Sequence, residues 1–257
     1  MKPGVVQKEI AWAPNRLFKR LPVPISTCPG CGHPLVTKMM CEALEEMGIA
    51  GKAVGVNAAT CGAISGVLIQ VDWVFGAHGR PADIATAIKR LRPHLVVFTY
   101  QGDGDALAIG MEGTMHAALR GERITMVMVN NGNYGTTGGQ MAPTTPLGMK
   151  TTTTPQGRDA RRDGYPIYAP ELLATLQGVA YTARGSVSSP TYYQKTKKFF
   201  KVALQKQIDD VGFSFLEILS PCPPDWHLTP VDCLKRIDQE IIPQFPIGEF
   251  KNVDRLD

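Results

Sequence analysis

Two short polar segments and four cysteines hold most of the chemistry in this chain. Gly102-Asp103-Gly104-Asp105 follows the apolar run Leu95 to Tyr100, and Asn130-Asn131-Gly132-Asn133-Tyr134 ends a second apolar run, Ile124 to Val129. A carboxylate between glycines and a set of amides are hard oxygen donors, the kind that suits a small divalent cation. The cysteines divide by their surroundings. Cys28 and Cys31 form Cys-Pro-Gly-Cys-Gly, Cys61 lies in Ala-Thr-Cys-Gly and Cys222 in Ser-Pro-Cys-Pro-Pro, each beside Gly or Pro. Four turn-borne thiolates suit tetrahedral zinc or a cubane iron–sulfur cluster, and softness alone does not choose between them. Cys41 and Cys233 read instead as buried helix positions.

Both polar segments need strands to aim them. Each follows an apolar run of strand length, and Ala106 to Arg120 between them has helical spacing, which gives a strand, turn, helix, strand, turn unit. Parallel strands in such a unit put both turns at one edge of the sheet, where open α/β sheets bind ligands, so Asp103 and Asn131 should face one another. Strands are expected at Ala53 to Asn57, Trp73 to Phe75, Leu95 to Tyr100, Ile124 to Val129, Val179 to Thr182 and Phe213 to Ile218. Helices are expected at Pro34 to Glu46, Pro81 to Leu91, Ala106 to Arg120, Pro170 to Leu176 and Tyr192 to Asp209. The fold class is α/β, three-layer, with a mainly parallel sheet flanked by helices. Gly138 to Tyr168 lacks periodicity, and a loop that long is expected to close over a ligand or meet a partner.

A diphosphate at this edge would meet the backbone N–H groups of the following helix, but Asp103 would repel it unless a Mg²⁺ lay between them. Here the sequence resembles the thiamine diphosphate enzymes, which carry Gly-Asp-Gly and then, about one helix and one strand later, Asn; Asn131 follows Asp103 by 28 residues. That resemblance implies Mg²⁺ ligands at Asp103, the Asn131 side chain and the Asn133 carbonyl, with Gly102, Gly104 and Asp105 in the cofactor turn. A second resemblance runs from Cys28 to Cys222: Cys28 to Gly32, Cys61, His78-Gly79-Arg80, Gly102 to Asp105, Asn133 to Gln140 and Pro221-Cys222. In that order these look like the thiamine-diphosphate-binding (beta) subunit of the 2-oxoacid:ferredoxin oxidoreductases.

The second resemblance implies one [4Fe–4S] cluster on Cys28, Cys31, Cys61 and Cys222. It also implies oxidative decarboxylation of a 2-oxoacid to acyl-CoA and CO2, with coenzyme A as co-substrate and electrons passing to ferredoxin. Electrons held on the thiamine ring after CO2 leaves must depart singly, which is the reason for a cluster nearby. The glutamate that activates thiamine, and most coenzyme A contacts, are implied to come from other subunits, so this chain alone should be inactive. No ferredoxin-like cysteine run is present, so electrons should pass to a ferredoxin or a ferredoxin-like subunit. Thr137 to Thr145 looks closest to the branched-chain (2-oxoisovalerate) and 2-oxoglutarate types, and the reading leans to the former. The alternative is a non-redox decarboxylase or carboligase subunit with structural zinc. A nicotinamide-binding protein is disfavoured, since no Gly-x-Gly-x-x-Gly follows the first strand.

Other positions near the site read two ways. Arg80 could hold phosphate or substrate carboxylate as a catalytic residue, or pair with a helix-end acid such as Asp83. Thr136, Thr137 and Gly138 could give donors to the diphosphate or, for Thr136, to the reacting carbon, or form a polar loop. His78 and Gly79 lie where thiamine enzymes place a cofactor loop, and His33 could touch the cofactor or cap a helix. Tyr134 reads as strand-end packing.

Composition agrees with one domain over residues 1–257, with cluster loops and terminal arms. The chain is 44% hydrophobic with net charge +4 from 27 basic and 23 acidic residues, scattered rather than patched, which argues against nucleic acid. No run approaches the ~18 apolar residues of a membrane helix, and a cytoplasmic setting is expected. The Val23-Pro24 start and the Ile242 to Asp257 tail read as arms that pack on neighbouring chains.

Overall fold

The computed structural model describes residues 27–256. In chain order, His33–Glu46 is helix α1, Ala53–Ala58 strand β1, Asp72–Gly76 β2, Pro81–Leu91 α2, Val96–Gly102 β3, Met111–Leu119 α3, Thr125–Asn130 β4, Asn133–Tyr134 β5 and Gln140–Met141 β6. Ala169–Ala174 is α4, Val179–Ser186 β7, Pro190–Ile208 α5, Phe213–Leu219 β8, Pro223–Trp226 α6, Pro230–Arg236 α7 and Gly248–Asn252 β9. All of these helices except α3 start with proline in the first turn, where its missing N–H costs nothing, so many prolines mark helix starts.

Seven strands form one sheet in the order β2-β1-β3-β4-β8-β7-β9, parallel except for β9, which runs antiparallel along β7. The period-2 alternation of side chains feeds two cores. On β3 and β4, Val96, Phe98, Val127 and Val129 pack on one face with Met39 and Met40 of α1 and Phe199 and Phe200 of α5. Val97, Met126 and Met128 pack on the other face with Ala82 and Ala85 of α2, Ala117 and Ala118 of α3 and Leu173 of α4. Two buried faces explain why these strands read as unbroken apolar runs. The expected three-layer architecture is therefore the one observed.

Two elements differ from expectation. Ala106 to Arg120 is not one helix: Asp105–Ile109 is a π-helical turn and α3 begins only at Met111. Gly110 N bonds to Asp105 O at 2.9 Å, and the left-handed Gly79 (φ +76°) presses its backbone on Ile109 and Gly110 too closely for any Cβ. Crowding at that contact widens the turn, as happens often beside functional sites. The tail also holds a strand where none was expected. Its strand β9 extends the chain's own sheet, and Lys251 Nζ donates to Leu176 O at 2.6 Å. Val23-Pro24 lies outside the described residues.

The 138–168 segment is irregular apart from β6 and one helical turn, Ala160–Asp163. It is nonetheless fixed. Buried Arg158 donates to the carbonyls of Ala142, Pro143, Thr145, Gly164 and Tyr165, which draws the segment into a cap behind the Asn131 turn.

Candidate active site

The carboxyl ends of β1, β3 and β4 open on one cavity of about 300 Å³, at the low end of the ~300–1,000 Å³ usual for ligand pockets. Its lining includes Gly102, Asp103, Gly104, Asp105, Asn131, Asn133, Thr136, Thr137, His33, His78 and Cys61. The two turns expected to face one another do so. Nearly every cofactor residue expected from the sequence shares this space; Gly79 and Arg80 do not line it.

Asp103 is the best-held of them. Its Oδ1 accepts from Gly104 N at 2.9 Å, and its Oδ2 accepts from Gly132 N at 3.1 Å and from the Thr144 hydroxyl. Burial still pushes its carboxyl up to about 7, with the charge of Glu217 adding to the shift and the three donors opposing it. A buried carboxylate so raised is short of positive charge. Asn131 Oδ1 accepts from Asn133 N at 3.2 Å, and Asn133 Nδ2 donates to Asp225 Oδ2 at 2.7 Å. Asn133 Oδ1 is buried with no hydrogen-bond partner. One under-neutralised carboxylate and neighbouring amide oxygens make a hard donor set of the kind Mg²⁺ takes. The packing also leaves a cradle: a Cβ on Gly104 would strike the Tyr134 ring, so Tyr134 does pack the strand end, and it lines the cavity as well.

Asp105 faces a different task. Gly79 N and Gln101 Nε2 each donate to it at 2.7 Å, and His78 Nδ1 lies 3.5 Å away. It therefore anchors the His78 loop. His33 is buried and its Nδ1 lies 2.8 Å from Tyr100 Oη; burial pulls its imidazole down to about 4, so it is neutral near pH 7. Arg80 donates to Glu112 at 2.5 Å and to Asp83 at 3.3 Å, the helix-end pairing its sequence position also offered.

The cysteine loops reach the same edge. Cys61 Sγ meets Thr136 Oγ1 at 2.9 Å, and Asn57 Nδ2 holds the loop at Gly62 O at 2.7 Å. Gly32 packs so closely on Ser220 and Pro221 that a Cβ would clash, which sets the Cys28–Cys31 turn beside Cys222. Burial pushes the Cys31 thiol up to about 11, with Cys61 and Cys28 near enough to add to the shift. Cys222 is raised by burial and by Asp225, whose Oδ2 accepts from its thiol at 3.2 Å. Among the described residues, no three His, Cys, Asp or Glu side chains are gathered into a closed metal cage. Thiols on loops at this edge are the soft donors an iron–sulfur cluster takes. Cys41 and Cys233 are buried in helices, as expected.

Sequence reasoning missed Thr144, Gln101, Asn130, Glu217 and Asp225. Thr144 gives no local signal, because it lies on the aperiodic segment. Asp225, three residues after Cys222, carried a weak one.

The family described as thiamine pyrophosphate enzyme, C-terminal TPP binding domain, matches residues 55–218. Ketoisovalerate oxidoreductase subunit VorA of Methanothermobacter thermautotrophicus is 38% identical over 231 residues, 90% of this chain and 48% of the relative. The chain thus spans about half the length of that relative. The 2-oxoglutarate synthase subunit KorB of Archaeoglobus fulgidus is 34% identical, covering 84% of this chain and 77% of the relative. A solved 2-oxoglutarate:ferredoxin oxidoreductase from Magnetococcus marinus, with 2-oxoglutarate, coenzyme A and succinyl-CoA bound, matches at TM-score 0.76 and 25% identity over 93% of this chain and 84% of that one. The turns, the sheet and these likenesses agree: the chain belongs to the thiamine pyrophosphate enzymes, through their TPP-binding domain, and among them to the thiamine-diphosphate-binding subunits of the 2-oxoacid:ferredoxin oxidoreductases.

Proposed function

We propose that this chain, as one domain, binds thiamine diphosphate with Mg²⁺ and one [4Fe–4S] cluster in a cytoplasmic complex that converts a 2-oxoacid and coenzyme A to acyl-CoA and CO2, passing electrons to ferredoxin. The observation that carries the reading is the single edge shared by Asp103, Asn131, Asn133 and the Cys61 loop. Asp103, the Asn131 side chain and the Asn133 carbonyl would hold Mg²⁺, and Cys28, Cys31, Cys61 and Cys222 the cluster. Thiamine diphosphate, when bound, supplies the electron sink for loss of CO2. The chain's part is to bind and orient: glycine turns admit the diphosphate, Tyr134 and Ile109 wall the cavity, and Thr136 offers a hydroxyl beside Cys61.

A partner subunit is needed for the activating glutamate. Asp103 and Asp105 are the acids that line the cavity among the described residues, and both are committed to other bonds. Among those residues no helix is long and apolar enough to cross a membrane. The substrate reading leans to 2-oxoisovalerate, supported by Thr137 to Thr145 and by the 38% identity to the ketoisovalerate subunit. Anaerobically purified protein should contain about four irons per chain and bind thiamine diphosphate only with a divalent cation; stoichiometric zinc without iron would reject the redox reading. In the reconstituted complex, kcat/KM for 2-oxoisovalerate should exceed that for pyruvate, 2-oxoglutarate and aryl oxoacids.

A further inference from the structure

Thr144 Oγ1 has one hydrogen and two acceptors within reach, Asp103 Oδ2 and, at 3.0 Å, Asn130 Oδ1. The Asn130 amide has a fixed orientation. Its Nδ2 donates to Glu217 Oε1, which, as a carboxylate, can only accept, so its Oδ1 faces Gly132 N and Thr144. Burial pushes the Glu217 carboxyl up, and Arg184, whose Nε donates to Oε2 at 2.7 Å, opposes that rise. Arg184 is fully buried, bonded twice more to Glu171 at 2.7 Å, and lies between the Phe245 and Phe250 rings at 5.3 and 5.1 Å. A rigid line therefore runs from Arg184 through Glu217 and Asn130 to Thr144. At its end the hydroxyl proton goes to Asp103, the nearer acceptor.

An ionised carboxylate has about four lone-pair positions. In Asp103, Thr144 Oγ1 donates to Oδ2, Gly132 N shares its one hydrogen between Oδ2 at 3.1 Å and Asn130 Oδ1 at 2.9 Å, and Gly104 N takes one position on Oδ1. One position on Oδ1 is fully open, and Oδ2 is covered by the Thr144 hydroxyl and the shared Gly132 hydrogen. We propose that Thr144 is a specificity-determining residue of the cation site: by filling Oδ2 it limits Asp103 to one-oxygen coordination through Oδ1. Mg²⁺ prefers such single-oxygen ligands in an octahedral shell, whereas Ca²⁺ takes six to eight oxygens and readily accepts both oxygens of one carboxylate. Thr144 thus favours Mg²⁺ over Ca²⁺. The proposal rests on the cofactor site described under Proposed function.

The test is calorimetric titration of the full chain with thiamine diphosphate, in Mg²⁺ and separately in Ca²⁺. Wild type should bind with either cation and more tightly with Mg²⁺. Thr144→Val keeps the shape and removes the donor. Its Mg²⁺-supported affinity should fall about tenfold, the size of a lost charge-assisted bond. Its Ca²⁺-supported affinity should fall less than about threefold, because Oδ2 is freed for a second bond. Thr144→Ser, which restores the hydroxyl, should return the Mg²⁺ to Ca²⁺ ratio to the wild-type value. Thr144→Ala carries the same comparison if the valine variant does not accumulate. Equal losses with both cations in Val and Ala mark Thr144 as merely structural and overturn the proposal, as does a serine variant that behaves like valine. A wild type that binds no thiamine diphosphate with either cation overturns the cofactor reading, and this inference with it.

Discussion

The diphosphate side and the cysteine side of the same sheet edge are built on opposite plans. On the diphosphate side, Asp103 is buried, accepts three protein hydrogen bonds and is backed by Asn130 and Glu217 from the neighbouring strands. On the cysteine side, Cys28 and Cys61 are exposed, Cys31 and Cys222 half-buried, and no closed cage forms among the described residues. The protein itself orients the hard site. The soft side carries its four cysteines on three loops, and under the proposed function closure would be left to the metal–sulfur bonds. The diphosphate side should therefore survive loss of the cysteines other than Cys61, and the reverse dependence should be weak.

Asp103→Ala should break the hard side most severely, lowering thiamine diphosphate affinity by about a hundredfold or more, since the cation loses its anionic protein ligand. The protein should still fold. Asp103 is destabilising when charged and unmetallated: its carboxyl sits near 7 against about 3.9 in the unfolded chain. Between those values the folded state holds a proton that the unfolded state has released, so stability of the metal-free protein falls as pH rises from about 4 to 7. The slope contributed is at most about 1.4 kcal/mol per pH unit. Asp103→Asn should flatten it in urea unfolding at several pH values; an unchanged slope would assign it to other groups.

The cysteines give the next largest effect. Cys222→Ser should lose most of the iron and the oxidative activity while keeping thiamine diphosphate affinity within about threefold, a change below 1 kcal/mol. Cys41→Ser and Cys233→Ser should keep both. Cys61→Ser sharpens the comparison, because Cys61 also touches Thr136 at 2.9 Å; alone among the four it should lose iron and weaken cofactor binding together. Iron and sulfide analysis beside calorimetry on each variant reads both sides at once. Equal loss of cofactor affinity in the Cys61 and Cys222 variants would show that the two sides form one cooperative site.

The apolar runs made the parallel sheet legible, because strands buried on both faces carry a strong and local signal. Asp103, Asn131 and the turn cysteines were legible for the same reason: glycine and proline mark turns, and turns at strand ends carry ligands. What was hidden depends on contacts distant in sequence. The π-turn at Asp105–Ile109 lies against the Gly79 backbone, a contact distant in sequence, and no helical periodicity registers that. Thr144 reaches Asp103 across 41 residues. β9 sits in a tail of mixed polarity, and its strand state comes from the free edge of β7 and from Phe250 lying over Arg184. Arg80, in a motif residue's position, pairs with Glu112 and Asp83, the second of the two readings its sequence offered.

Asp225 is where the two sides meet, and the effect expected there is the smallest. One oxygen, Oδ2, accepts from Asn133 Nδ2 at 2.7 Å and from the Cys222 thiol at 3.2 Å, while the next residue, Trp226, donates Nε1 to Asn131 O at 3.1 Å. The Cys222 contact cannot persist in this form once the thiolate ligates a metal, because the donated proton is then gone. The Asn133 contact has no such conflict, so in the loaded protein Asp225 belongs to the diphosphate side. Asp225→Asn exchanges a charge-assisted bond for a neutral one, a loss of about 1 kcal/mol. Thiamine diphosphate affinity should accordingly fall about fivefold, with the iron content of anaerobically prepared protein unchanged. Iron lost with cofactor affinity intact would instead place Asp225 on the cysteine side, and with it the boundary between a site the protein orients and a site the metal closes.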